Sequence, residues 1–536
     1  MNVLQMYLMC NMYFSRCGEF QANTTEGPVT GFQIKSRTGR NFMAFGGIPY
    51  AKPPVGELRF EDPQPPEKRN KIREGVWIGP RCLQSLYVVT AIENVVQGQE
   101  DCLYLSIATH NLNPPKLYPV LVHLHGGNYD RGYGQRFVKP QYFMDYDVVV
   151  VSMDFRLGIQ GFLSTEDEVL PGNYGLKDQS MALKWIRKNI KNFGGDPNRI
   201  TIYGESSGGS SVHHQMISPW SKGLFNQGIM ESGTAVSTWD MLPKGFSRQR
   251  TITVAKELGC PTNSSQLILA CLKTVDSKEL TRIIKIFRSN LIESKAIFTP
   301  VVDSYSRRPF LPKDPHYLKV PPVPLMMVVA DLDGMVKSAY FTKEPGYYNE
   351  LDKNFPELIR NVLFTDVNTI SKSTANRIRK FYLGDKPVSP ATVKNITDII
   401  TDSWFIWPSL TTLMRHSGPH YLLLNAYDAE NTMQYYFGGG KILNGATHMD
   451  IGLHIWDDRP GIIFDRPADL EFSKLLVNLW TNFITYGTPA PPGFKYVWPK
   501  WDEVQQRYLR INNEGVTVEK KIFEERMRFW STIFKN

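Results

Sequence analysis

These 536 residues contain no CxxC pair, no long lysine or arginine tract, no internal repeat and no low-complexity linker. Each absence removes a class of function. Without closely spaced cysteines there is no zinc or dithiol-redox spacing. The net charge of +9 is spread along the chain. It favours solubility and mild attraction to anionic surfaces, but lacks the clustered footprint and motifs of a nucleic-acid binder. No apolar run reaches the roughly 20 residues that a membrane helix requires, so no stable membrane span is expected. With no linker to divide it, residues 23–536 read as one large domain with helical excursions. Residues 1–22, MNVLQMYLMCNMYFSRCGEFQA, are apolar from Val3 to Phe14. They have no lysine, and their first arginine, Arg16, comes after the apolar run. That departs from the basic leader of a signal peptide. The segment reads as an altered leader or as an N-terminal strand or tail.

Cysteine is scarce but even in number, at positions 10, 17, 82, 102, 260 and 271. Cys82 with Cys102, and Cys260 with Cys271, are locally spaced, and either pair could close a short loop in an oxidising compartment. Glycosylation acceptors stand at Asn23 (NTT), Asn263 (NSS) and Asn395 (NIT). Together these features tilt the reading toward the secretory route.

The hydrophobic pattern alternates between strand and helix. Residues 29–48 alternate and carry glycines, which suggests an edge β-meander. YPVLVHLHGG (118–127) and YDVVVVSMDFR (146–156) are near-continuous apolar runs, as in strands buried on both faces. In 175–195, Met181, Leu183, Trp185, Ile186 and Ile190 recur at roughly helical spacing before Gly194-Gly195. NRITIYGESSGGS then reads as strand, sharp turn and helix start. Further strands are expected at 323–330 and 420–427, helices over 246–292 and 350–415, a long helix over 469–486 and a final strand or pair near 496–519. This alternation predicts an α/β fold with crossover helices.

The turn contains G-x-S-x-G, centred on Ser206. The motif has chemical meaning only between a strand and a helix, and that context is present. The flanking glycines suit a tight turn, and a helix N-terminus favours charge developing near the serine. HLHGGNY (123–129) opens a second loop, where the N–H groups of Gly126 and Gly127, with that of Ser207, are candidates to surround an oxyanion. His125, just before those glycines, suits a structural role. His213 and His214 should point along the helix that follows Ser206, away from the serine. His448, in the small-residue loop NGATHMD, is the better base. For the order serine, acid, histidine, DLDGM supplies both Asp331 and Asp333, and spacing does not decide between them.

At this point the chain resembles the type-B carboxylesterase and cholinesterase family of α/β-hydrolases, most like insect carboxylesterases. The resemblance runs from about residue 27 to 530. It rests on GIPYAKPPVGELRF (47–60), EDCLYLSI (100–107), HLHGG (123–127), DFRLGIQGFLS (154–164) and the long stretch GNYGLKDQ…GESSGG (172–209). It implies an α/β-hydrolase fold with a large, mostly parallel mixed sheet flanked by helices. It places the nucleophile on Ser206, the base on His448 and the acid on Asp333, where most relatives carry glutamate. It carries the oxyanion donors onto Gly126, Gly127 and Ser207, and the disulfides onto Cys82–Cys102 and Cys260–Cys271. Glu205 corresponds to a buried carboxylate beside the cleft. Trp239 falls where an aromatic acyl-pocket wall often stands, or is an ordinary core tryptophan.

Two departures stand out. Ser207 replaces the usual alanine after the nucleophile, and Asn128 replaces the usual glycine or alanine after HGG, adding a polar side chain at the cleft floor. The cholinesterase tryptophan position falls near Ile92, so a main cation–π contribution to choline binding is missing. GESSG, rather than GQSAG, argues against a hormone-clearing role. The resemblance thus implies hydrolysis of uncharged hydrophobic carboxylic esters through an acyl-enzyme, with no metal or organic cofactor. The expected partners are a small ester substrate and organophosphate inhibitors, and the expected state is a monomer or homodimer. A slow-turnover sequestering esterase and a non-catalytic binding protein on the same scaffold are the alternatives.

Overall fold

Alternating residues near the start of the chain form the antiparallel strands β1 (Cys17–Thr24), β2 (Gly27–Lys35) and β3 (Asn41–Pro49). The computed structural model describes residues 17–75, 79–86, 95–134, 139–287, 297–343, 346–363, 371–457 and 466–534. The expected edge meander is therefore present. The boundary set after Ala22 falls inside β1, where Ala22 is buried opposite Val29. Residues 17–22 are thus part of the sheet, and residues 1–16 lie outside the described residues.

A short ribbon, β4 (Gln84–Leu86) and β5 (Val95–Gln97), stands apart. The main sheet continues with β6 (Tyr104–Thr109), β7 (Tyr118–Leu124), β8 (Val149–Met153), β9 (Gly195–Glu205) and β10 (Gln227–Glu231). Then come β11 (Leu325–Ala330), β12 (His420–Asn425), β13 (Arg507–Asn512) and β14 (Gly515–Lys520). Its twelve strands run in the order β1-β2-β3-β6-β8-β7-β9-β10-β11-β12-β13-β14. Pairing is parallel from β8 through β13 and antiparallel at both ends. This is the mixed, mostly parallel sheet of an α/β-hydrolase.

The apolar runs follow from burial on both faces. In β7, Val120, Val122 and Leu124 join a core with Leu183 and Ile186 of α1 (Tyr174–Asn189) and Val212 of α2 (Ser207–Ile217). Leu121 of the same strand points into the opposite core, with Leu476 and Trp480 of α3 (Pro467–Tyr486). The helix expected over 175–195 ends as an α-helix at Asn189. It continues as a 3-10 turn, Ile190–Phe193, and stops at Gly194, whose φ of 77° is the left-handed conformation glycine adopts freely.

Helical excursions lie between β10 and β11 and between β11 and β12. The second contains a π-helical turn, Asp402–Ile406, and the sequence signalled neither this turn nor the closing helix Glu524–Ile533. The two are locked together. Arg526 pairs with Asp402, and the buried Trp530 donates from Nε1 to Tyr382 Oη at 2.6 Å. Both expected disulfides are present, Cys82–Cys102 with Cα atoms 4.9 Å apart and Cys260–Cys271 with 5.7 Å.

Candidate active site

β9 ends at Glu205 and α2 begins at Ser207, so Ser206 alone makes the turn, at φ 58° and ψ −127°. A serine in that region stores roughly 1–3 kcal/mol of strain. The turn is held from both sides. Ser206 N–H donates to Glu231 O at 2.8 Å, and Ser210 N–H donates to Ser206 O at 3.0 Å. Sterics explain the glycines. A Cβ on Gly204 would lie 2.3 Å from the Gly208 carbonyl, and one on Gly208 would lie 2.1 Å from Leu124 O. Ser206 Oγ makes no side-chain hydrogen bond among the described residues, and Ser206 lines a cavity of about 350 Å³ that His448 also lines.

His448 Nδ1 lies 2.9 Å from Asp333 Oδ1. The other carboxylate oxygen accepts from Ser232 Oγ and from Ala330 N–H, each at 2.8 Å. Asp333 is fully buried, so these donors fix its orientation. Asp331, the alternative acid, instead accepts Ala446 N–H at 2.9 Å. Burial pushes its pKa up to about 7, only partly countered by that N–H. It braces the histidine loop and does not touch the imidazole. Leu332 N–H also donates to Ala446 O at 2.9 Å. The acid and histidine loops are thus stitched together, which brings the shorter aspartate side chain within reach. Asp450 ties the loop from behind, accepting Thr447 N–H at 2.8 Å.

The oxyanion loop corrects one expectation. Gly126 N–H does not face the cavity for an oxyanion, because it donates to Glu205 Oε1 at 2.9 Å. Glu205 Oε2 lies 2.7 Å from His123 Nε2. Burial pushes the Glu205 pKa up, but His123 and Gly126 N–H outweigh it, and the net shift is downward. Glu205 is thus a charged clamp for the oxyanion loop. The next N–H groups, of Gly127 and Asn128, have no acceptor among the described residues, nor does that of Ser207 at the first position of α2. Asn128 sits at φ 61°, a left-handed conformation that asparagine tolerates better than most side chains. Ser207 Oγ accepts Tyr129 N–H at 3.3 Å. Tyr129 Oη donates to Asp240, which also pairs with His214 of α2. The loop is therefore fastened to α2 through both the backbone and the ring of Tyr129.

The remaining expected residues fall as follows. Trp239 is both buried and part of the cavity lining, with its ring 6.2 Å from that of Phe405 and Nε1 donating to Trp404 O at 3.2 Å. Its two readings are therefore compatible. His125 stacks on Phe155 at 4.3 Å, and burial draws its pKa down to about 4. His213 accepts Ala235 N–H, and both helix histidines are buried. Asn23 and Asn263 are exposed, whereas Asn395 uses its amide nitrogen to donate to Tyr382 O at 2.8 Å. Ile92 lies outside the described residues. Ser232 and Phe405 had no local motif to announce them, and HLHGG gave His123 no role. They become visible only when separate strand ends and helices meet.

A carboxylesterase family model matches residues 19–530. The chain is 33% identical to a carboxylic ester hydrolase of Bombus ignitus, over 96% of this chain and 94% of the relative. It is 35% identical to esterase FE4 of Myzus persicae, over 91% and 88% of the two chains, and 34% identical to a juvenile hormone esterase of Tribolium castaneum, over 87% and 84%. The solved juvenile hormone esterase of Manduca sexta, with OTFP covalently attached, shares the fold at a TM-score of 0.84 and 24% identity, covering 96% of this chain and 99% of that one. With its sheet, its strained Ser206 turn and a match across nearly its whole length, the chain belongs to the carboxylesterase family.

Proposed function

We propose that this protein is a serine carboxylesterase that hydrolyses hydrophobic esters through an acyl-enzyme. One observation carries the reading: a strained, half-buried Ser206 shares its cavity with a histidine whose Nδ1 is held by a buried aspartate. With Nδ1–H committed to Asp333, Nε2 is the nitrogen left to accept a proton. Ser206 Oγ attacks the ester carbonyl as His448 takes its proton, and His448 returns that proton to the departing alcohol. Asp333 fixes the tautomer and stabilises the imidazolium. The N–H groups of Gly127, Asn128 and Ser207 receive the oxyanion, each worth roughly 3 kcal/mol in the transition state. Water activated by His448 then releases the acid.

Organophosphate titration followed by steady-state turnover tests this. The expected result is one phosphylated Ser206 per chain and sustained release of both products. A burst of one product equivalent with negligible turnover supports sequestration instead. No labelling and no burst supports a binding protein. The two disulfides and the exposed acceptors Asn23 and Asn263 support a secreted protein.

A further inference from the structure

His448 reaches the cavity from a turn, residues 447–450, whose two ends are pinned to each other by Asp450. Asp450 Oδ2 accepts Thr447 N–H at 2.8 Å, and Asp450 N–H donates to Thr447 O at 3.1 Å. The same carboxylate is buried and reaches a second segment. Its Oδ1 accepts Met433 N–H at 2.6 Å, and Thr432 Oγ donates to its Oδ2 at 2.9 Å. Met433 lines the cavity just ahead of the helix Gln434–Gly438. One side chain therefore fixes both the histidine turn and the wall beside it.

This bracing holds an unfavourable backbone. Met449, the third residue of the turn, has φ 67° and ψ 6°. Those angles are close to what the third position of a type II turn requires, and glycine or asparagine usually fills it. A Cβ in the left-handed region crowds the following carbonyl oxygen, which disfavours methionine there. Strain kept beside a reacting group points to a role for the residue that bears it. Met449 is half-buried and lines the cavity that Ser206 and His448 share. It packs on a small apolar cluster separate from both sheet cores, which includes Leu332, Met335, Met433, Phe437 and Leu453. Methionine is otherwise an adaptable side chain. Here its backbone is pinned and its packing is backed by that cluster, so it has little room to yield to a large group. The cavity, about 350 Å³, is at the small end of ligand pockets.

The position next to the base decides which half of the ester meets this wall. His448 returns its proton to the departing alcohol, so the alcohol oxygen must lie at the histidine and its carbon chain beside the histidine turn. We infer that Met449 is a specificity-determining residue that limits the size of the alcohol group, and that the Asp450 clamp holds it in place. The substrate class is then an ester of a small or slender alcohol. This rests on the esterase reading and narrows it.

The test compares Met449→Gly and Met449→Ala with the unaltered chain on two pairs of esters. The alcohol pair is cyclohexylmethyl butyrate and ethyl butyrate. The acyl pair is ethyl cyclohexylacetate and ethyl butyrate. Rates are taken per site counted by organophosphate titration, so misfolded chains do not enter them. Glycine takes φ 67° without strain, which protects the folded yield of that variant. In both variants the kcat/KM ratio of large to small alcohol rises about fivefold or more, mainly through KM, while the acyl ratio stays within about twofold. An alcohol ratio that is unchanged or falls overturns the inference. So does an acyl ratio that rises as much as the alcohol ratio, because a turn that merely relaxes loosens the whole site. A rise in the glycine variant that the alanine variant lacks overturns it too, since both remove the side chain and only glycine removes the strain. Absence of titratable sites and of turnover with every ester in the unaltered chain overturns the esterase reading itself, and the size limit with it.

Discussion

At the floor of the cavity, backbone geometry leaves few choices; in its walls, side chains from distant segments decide what enters. The floor is Ser206 at φ 58°, between glycines whose added Cβ atoms would collide with backbone 2.3 and 2.1 Å away. The walls include Trp239, Phe405, Arg131 and Lys337, brought in by two loops, a π-helical turn and a short helix. On the proposed reading the floor sets the reaction, so exchange of its side chains should change the rate of turnover most. On the same reading the walls bear on which ester fits, so exchange of their side chains should change KM more than kcat.

Substitutions separate the two regions, and the largest effects belong to the floor. Ser206→Ala removes the proposed nucleophile, and kcat should fall by about 10⁵–10⁶ with little change in Tm, measured by ester turnover and thermal melting. Asp333→Asn disrupts the tautomer-setting partner of His448 and should cost about 10⁴ in kcat. Asp331→Asn, which keeps an oxygen able to accept Ala446 N–H, should cost less than about tenfold. Equal losses in the two variants would contradict the assignment of Asp333. Ser207→Ala removes the acceptor of Tyr129 N–H. It should reduce kcat by roughly two- to tenfold without changing KM, because a neutral hydrogen bond that positions the loop is worth about 0.5–1.5 kcal/mol.

The smallest effect concerns pH. Burial pushes the Glu231 pKa from 4.5 to about 8, only partly countered by the hydrogen bond from Tyr203. Between those values the folded chain holds a proton that the unfolded chain has lost. Stability therefore falls as pH rises from 4.5 toward 8. Glu231→Gln should flatten the Tm profile across that window, and an unchanged slope would show that other groups govern it.

Ser206 was readable in the sequence because its requirements are local: a strand, a turn too tight for side chains and a helix start. That His448 would meet an acid from DLDGM was readable because its loop is built of small residues and follows that acid in the right order. Gly126 was misread for an equally physical reason. Counting glycines shows which N–H groups are unobstructed, but not that Glu205, 79 residues further on, has claimed the first of them. Ser232 reaches Asp333 across 101 residues, and no spacing rule reports such a contact. The choice between Asp331 and Asp333 had the same character. The two residues are neighbours in sequence, and only the pairing of Leu332 with the Ala446–Thr447 loop turns one toward His448 and the other toward a backbone N–H.

By itself, the sequence determined the alternation of buried strands and crossover helices, the nucleophile turn and the residue types of the catalytic unit. These follow from periodicity and local sterics, which act over a few residues. Tertiary structure alone decided which glycine N–H is free, which aspartate reaches the histidine, and that Phe405 meets both Trp239 and the His448 ring. Those outcomes depend on where separate chain segments meet, and burial then magnifies every hydrogen bond and charge that the meeting creates.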